Sequence, residues 1–261
     1  MQRVIDYLNQ FVVINLNEMI MSSNDSIQNN STDLIALVAK SAVGAIPYAG
    51  PLLSEIVGTI IPNQRIDRLG RYVQVLDDRI SAIPSEVIQN LVSNDDFIDL
   101  IEEGFVQASR AISAERRCYI ASIIFYGITD EQIRLHESKY LLKILEELND
   151  IEVIWLRYYS DPMMNSDTAF REKHKNILTP IIACAGADKG LVNKSSIQKS
   201  YKEHLERMQL IESKIKVERK TNIPEFDRRT GKPKISYTII THLGKLLLEQ
   251  IGIDSDGANS K

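Results

Sequence analysis

Apolar residues recur three and four positions apart along most of the first 160 residues, the spacing of one buried helix face. In Asn63–Ile83 the set Ile66, Leu69, Tyr72, Val73, Leu76 and Ile80 is interleaved with Arg65, Arg68, Arg71 and Arg79. That predicts a helix with one apolar and one charged face. Pro84 punctuates, and Ser85–Leu91 reads as a short helix. Ser93-Asn94-Asp95-Asp96 places acidic groups at the positive end of a helix over Phe97–Ile112. Ala114–Tyr126 follows, with Gly127 as its expected end. Thr129 with Gln132 three residues on fits a capping box for a helix towards Leu148. Asp150–Tyr159, with the single tryptophan Trp155, is the last helix of this run.

The pattern then changes. Ser166 or Asp167 to Ala185 reads as a helix kinked at Pro180, Gly186–Val192 as a turn, and Ser195–Met208 as a helix on Ile197, Tyr201, Leu205 and Met208. Lys214–Lys220 alternates charged and apolar residues with the period of a half-exposed strand. Thr221–Lys234 is a polar loop rich in Pro, Gly and Arg, Ile235–Ile240 a second strand, and Thr241-His242-Leu243-Gly244 opens a final helix to Ile251. This is the order of a winged helix-turn-helix. The fold class expected is mainly α: a helical bundle with a central apolar hairpin, followed by a winged helix-turn-helix domain. The expected divisions are an N-terminal helix and flexible linker over 1–32, an acidic helical domain over 33–160, a basic winged-helix domain over 161–252 and a polar tail over 253–261.

The apolar hairpin is read at Leu34–Ile46 and Leu52–Ile61, around Pro47-Tyr48-Ala49-Gly50-Pro51. Asp33, Lys40 and Glu55 are the only charges in Asp33–Pro62. Ile46, Pro47, Tyr48, Gly50, Pro51, Leu52, Leu53 and Glu55 form its candidate effector set. Two readings stand open. The hairpin is the buried centre of a bundle, or it is released to enter the inner membrane on activation. A spanning helix needs about 20 apolar residues, and neither limb reaches that length.

Charge divides the chain further. Residues 1–189 carry 17 Lys/Arg against 26 Asp/Glu, whereas 190–247 carry 13 against 6. Phosphate contact by the basic stretch is expected at Lys199 and Lys202 on the helix and at Arg219, Lys220, Arg228, Arg229, Lys232 and Lys234 on the wing. Glu203 and Glu206 share the helix face and would repel phosphates, so a protein-binding face is the competing reading. Two cysteines, Cys118 and Cys184, exclude a disulfide framework and fit a reducing cytosol. Asp6 interrupts any signal-peptide pattern, and no apolar run reaches 18 residues.

Catalytic constellations are weak. His136, His174, His204 and His242 form no His-Glu-x-x-His, and Cys118 lies in an apolar helix. Glu218-Arg219-Lys220 has the form of a nuclease Glu-x-Lys, but lacks an upstream acidic strand to share a metal ion. No phosphate-binding glycine motif occurs. No catalytic residue, metal site or cofactor is expected.

Two stretches carry a family likeness: AVGAIPYAGPLLSEIVGTIIPNQRIDRLGRYVQVLDDRI, Ala42–Ile80, and the pair HLERMQLI, His204–Ile211, with YTIITHLGKLLLEQIG, Tyr237–Gly252. They resemble the abortive-infection alpha family of helical bacterial proteins, over about two thirds of the chain. The resemblance implies a role in limiting phage and no catalytic residues. The expectation is a non-enzymatic cytoplasmic antiphage protein, acting on a phage or host protein or through the releasable hairpin, and assembling as a homo-oligomer. The alternative is a winged-helix DNA-binding transcriptional regulator.

Overall fold

The computed structural model describes residues 63–91, 93–130, 132–161, 167–184, 186–218, 221–228 and 231–253. The apolar hairpin, with Ile46, Pro47, Tyr48, Gly50, Pro51, Leu52, Leu53 and Glu55, lies outside them. The described chain is mainly helical, with one two-stranded antiparallel sheet. It separates into two compact units, Met1–Lys143 with Gln250–Gly252, and Ile144–Glu249 with Ile253–Lys261.

In the first unit, α1 (Asn63–Ile80), α3 (Asp95–Arg110) and α4 (Ala114–Thr129) pack against one another, with the short α2 (Ser85–Leu91) between the first two in sequence. The predicted apolar face of α1 is buried at all six positions, from Ile66 to Ile80. Burial of such side chains stabilises a fold by about 1.5–3 kcal/mol each. Tyr72 meets Phe105 edge to face, with ring centroids 5.4 Å apart. Gly104 lets α3 approach closely, because an added methyl group would overlap the Ile124 side chain and the Tyr72 hydroxyl.

The helix ends are held locally. The Asn94 side chain caps α3 by accepting from Asp96 N at 2.9 Å, and Ser113 caps α4 by accepting from Arg116 N at 3.1 Å. Buried Arg117 donates to the carbonyls of Ala111 and Ile112, which follow α3. Two expectations are corrected here. Gly127 does not end α4; it sits where a methyl group would meet Ser138 and Leu100. Thr129 builds no capping box either. Its hydroxyl donates back to Phe125 O at 2.9 Å, and α5 (Leu135–Glu147) starts later, with the Glu137 carboxylate accepting from Arg134 N.

In the second unit, α6 (Asp150–Ser160) opens on a reciprocal capping box between Asn149 and Glu152. The expected kinked helix to Ala185 is instead α7 (Thr168–Lys173) and α8 (Lys175–Leu178), followed by irregular backbone. Pro180 cannot continue the helix. Gln198 takes up the freed backbone: its amide donates to Ile177 O and Thr179 O, and its oxygen accepts from Ile181 N. Helix α9 (Lys189–Arg207) begins six residues before the expected Ser195, because Asp188 caps it by accepting from Gly190 N and Leu191 N.

Strands β1 (Ile211–Ile215) and β2 (Ile235–Ile240) pair from Ile211↔Ile240 to Ile215↔Ile235, with a bulge between Lys214 and Ile215. Then comes α10 (His242–Gln250). The second strand has its expected bounds; the first lies earlier than Lys214–Lys220. Helix α6 packs on α9 and β2, and α9 packs on β1.

Candidate functional site

The segment between the strands is an ordered arm, which corrects the expected loop over Thr221–Lys234. Its centre is a ring of three backbone hydrogen bonds, each 2.8 Å long. Lys216 N donates to Lys234 O, Lys234 N to Glu225 O, and Glu225 N to Lys216 O. Each of the three residues uses its N–H and its C=O with different partners. Three ribbons therefore meet at this point: 211–216 with 234–240, and two hairpins closed by the bridges Val217↔Pro224 and Phe226↔Pro233.

The two hairpins repeat one geometry. Glu218 N bonds Ile223 O and Asn222 N bonds Glu218 O; nine positions on, Asp227 N bonds Lys232 O and Gly231 N bonds Asp227 O. Asn222 and Gly231 hold the matching left-handed conformation, at φ 56° and 66°. Asn and Gly are the residues that adopt it at least cost. The sequence carries the same repeat: Lys216–Pro224 reads KVERKTNIP, and Glu225–Pro233 reads EFDRRTGKP.

Alternation along each ribbon separates two faces. Lys216, Glu225 and Lys234 share one, and both ammonium groups reach Glu225 Oε2, at 3.0 and 3.4 Å. The hydrogen bond from Lys216, with Lys234 beside it, holds the Glu225 carboxyl below its ordinary value. The three pairings Ile215↔Ile235, Val217↔Pro224 and Phe226↔Pro233 place their residues on the other face. All six are exposed, Phe226 at 53%.

The cations are unevenly committed. On α9, Lys199 pairs with Glu203 at 3.4 Å and Lys202 with Glu206 at 3.8 Å. Glu206 also accepts from the Ser213 hydroxyl. The exposed face of this helix thus carries neutralised pairs. The arm carries pairs too, Lys214 with Glu212 at 2.6 Å and Lys216 and Lys234 with Glu225, but Lys214–Lys234 holds eight Lys/Arg against three Asp/Glu, a net charge of +5. Arg228 and Lys232 are exposed on the second hairpin. Arg219, Lys220 and Arg229 lie outside the described residues; in sequence, Arg219-Lys220 and Arg228-Arg229 are dibasic pairs nine positions apart. Of the expected wing residues, Arg228, Lys232 and Lys234 are described and lie on the arm.

Sequence reading missed the ring at Lys216, Glu225 and Lys234 and the apolar face around Phe226. The signal was present as the triplets Ile-Lys-Val, Pro-Glu-Phe and Pro-Lys-Ile, centred nine positions apart.

Among the described residues, no group of three or more His, Cys, Asp or Glu is arranged to hold a metal ion. Burial pushes the Cys118 thiol up, with Arg79 opposing, which disfavours the thiolate that a nucleophile needs. His204 is engaged by buried Glu152, Nδ1 to Oε1 at 2.7 Å. Among the described residues, no helix is long and apolar enough to cross a membrane. Comparison with family models, curated proteins and solved structures gives no match.

Proposed function

We propose that the chain is a cytoplasmic, non-enzymatic antiphage protein of the abortive-infection type that works by docking. In this reading α9–β1–β2–α10 is a winged helix, and its forked wing grips a nucleic-acid backbone. The observation that carries it is the arm itself: two hairpins of one geometry, joined by hydrogen bonds at the Lys216–Glu225–Lys234 ring, in a stretch of net charge +5. A hydrogen-bonded backbone has less freedom to lose than an irregular loop, so less conformational entropy is lost on binding a polyanion. The resemblance over Ala42–Ile80, His204–Ile211 and Tyr237–Gly252 supports the antiphage part.

The regulator reading has less support. A sequence-reading winged helix needs a helix whose side chains reach base edges. The α9 cations named for that role are held by carboxylates on their own helix. Backbone contact through the arm positions a protein on nucleic acid without reading its sequence.

Filter binding of the full chain to a short duplex and to its separated strands tests this. Log affinity is expected to fall linearly with log salt, at about 0.9 per phosphate for duplex and about 0.7 for single strands. Arg228→Ala and Lys232→Ala are each expected to take about one from the magnitude of that slope. A slope near zero removes the reading. In infected cells, wild type is expected to lower the plaque count and the double variant to lose that protection. Equal protection would place the defence role elsewhere in the chain.

A further inference from the structure

We infer that the apolar face of the arm is a platform for the bases of an unpaired nucleic-acid strand. The inference rests on the polyanion reading above and adds the form of the ligand. Ile215, Val217, Phe226 and Ile235 lie on that face and are each 44–53% exposed. A contiguous exposed apolar patch on a soluble arm marks an interaction site.

Charge selects among occupants. With +5 on Lys214–Lys234, the ligand that fits is anionic. A second copy of the same face would bring like charge against like charge. Duplex DNA supplies phosphates but keeps its base faces inside the stack, so the apolar face would lose water and gain no partner. An unpaired strand supplies both: phosphates for the cations of the arm, such as Arg228 and Lys232, and base faces that stack on the Phe226 ring. Phe226 lies opposite Pro233 and is the aromatic ring of this face, placed to hold a base.

The test is fluorescence anisotropy of the full chain with a labelled 20-nucleotide DNA strand, the same sequence as RNA, and the DNA duplex, all at one ionic strength. The unpaired strands are expected to bind about tenfold more tightly than the duplex. Phe226→Ala is expected to weaken strand binding about fivefold or more, leaving duplex binding unchanged. Phe226→Trp is expected to retain strand binding, which separates loss of stacking from loss of fold. Arg228→Ala should weaken all three ligands. A preference for the DNA or RNA strand would identify the source.

Duplex binding as tight as strand binding, indifferent to Phe226→Ala, would overturn the inference and leave the polyanion reading standing. No binding to any of the three would overturn both. Binding only to phosphatidylserine vesicles, lost in Phe226→Ala, would also overturn both and assign the face to a membrane.

Discussion

Glu152→Ala is expected to lower unfolding stability by about 2–6 kcal/mol, the cost of leaving two buried donors without partners. The Glu152 side chain is 4% exposed and performs two tasks at once. Oε2 accepts from Asn149 N at 2.9 Å, closing the capping box of α6. Oε1 lies 2.7 Å from His204 Nδ1 on α9. A carboxylate only accepts, so the imidazole carries its proton on Nδ1. Truncation leaves a helix-terminal amide and a mostly buried imidazole N–H without partners. Each then bears its desolvation cost, about 1–3 kcal/mol for a neutral group. His204→Ala leaves the capping box intact and is expected to cost less. The double variant is expected to cost less than the sum of the two, because they share one contact. Urea unfolding followed by far-ultraviolet dichroism measures all three. A Glu152→Ala loss under 1 kcal/mol would mean that the side chain is solvated and the α6–α9 pairing immaterial.

The Glu152–His204 contact also marks a limit of reading sequence. Its capping half is local: Asn149 with Glu152 three residues on is a visible pattern, yet Thr129 with Gln132 has the same form and builds no cap. The two differ in where the first side chain goes. Asn149 accepts from Glu152 N, whereas Thr129 donates to the carbonyl one turn behind it. The half reaching His204 spans 52 residues and leaves no periodic trace. Helical faces such as Ile66–Ile80 were legible because each apolar position is buried against a neighbour in the same small bundle. Strand β2 was legible for the same reason at Ile240, its buried end. Strand β1 was not, because the alternation from Ile211 to Val217 is continuous while its partner changes at Lys216. Composition made Thr221–Lys234 read as an irregular loop: Pro, Gly and paired basic residues are turn formers and solvated groups. Its order comes from repetition, with each nine-residue unit supplying a turn and one corner of the ring.

Gly244→Ala is expected to cost about 3 kcal/mol or more, at the upper end of overpacking losses. The reason lies in the Thr-His-Leu-Gly run that opens α10. Thr241 N donates to Leu210 O at 3.0 Å, and the Thr241 hydroxyl donates to Gln209 O at 2.6 Å. That hydroxyl oxygen also accepts from Gly244 N at 3.1 Å, capping the helix. Gln209 holds a left-handed conformation, at φ 59°, to bring its carbonyl round. The turn after α9 is thereby bolted to the start of α10, and Gly244 lies against the bolt. A methyl group there would overlap the Leu210 carbonyl oxygen and lie 2.7 Å from Ile240 Cγ1. A side chain can rotate away from such a contact, but the carbonyl is fixed by the hydrogen bond it accepts. The first turn of α10 must then lift from the end of β2, where the arm is rooted. Thr241→Ser keeps the capping hydroxyl and is expected to cost well under half as much. The alanine variant is expected to lose nucleic-acid binding in step with its folded fraction, and to bind normally where it remains folded. Thermal unfolding and anisotropy on one sample separate the two. Binding lost in a fully folded Gly244→Ala protein would mean that α10 itself touches the ligand.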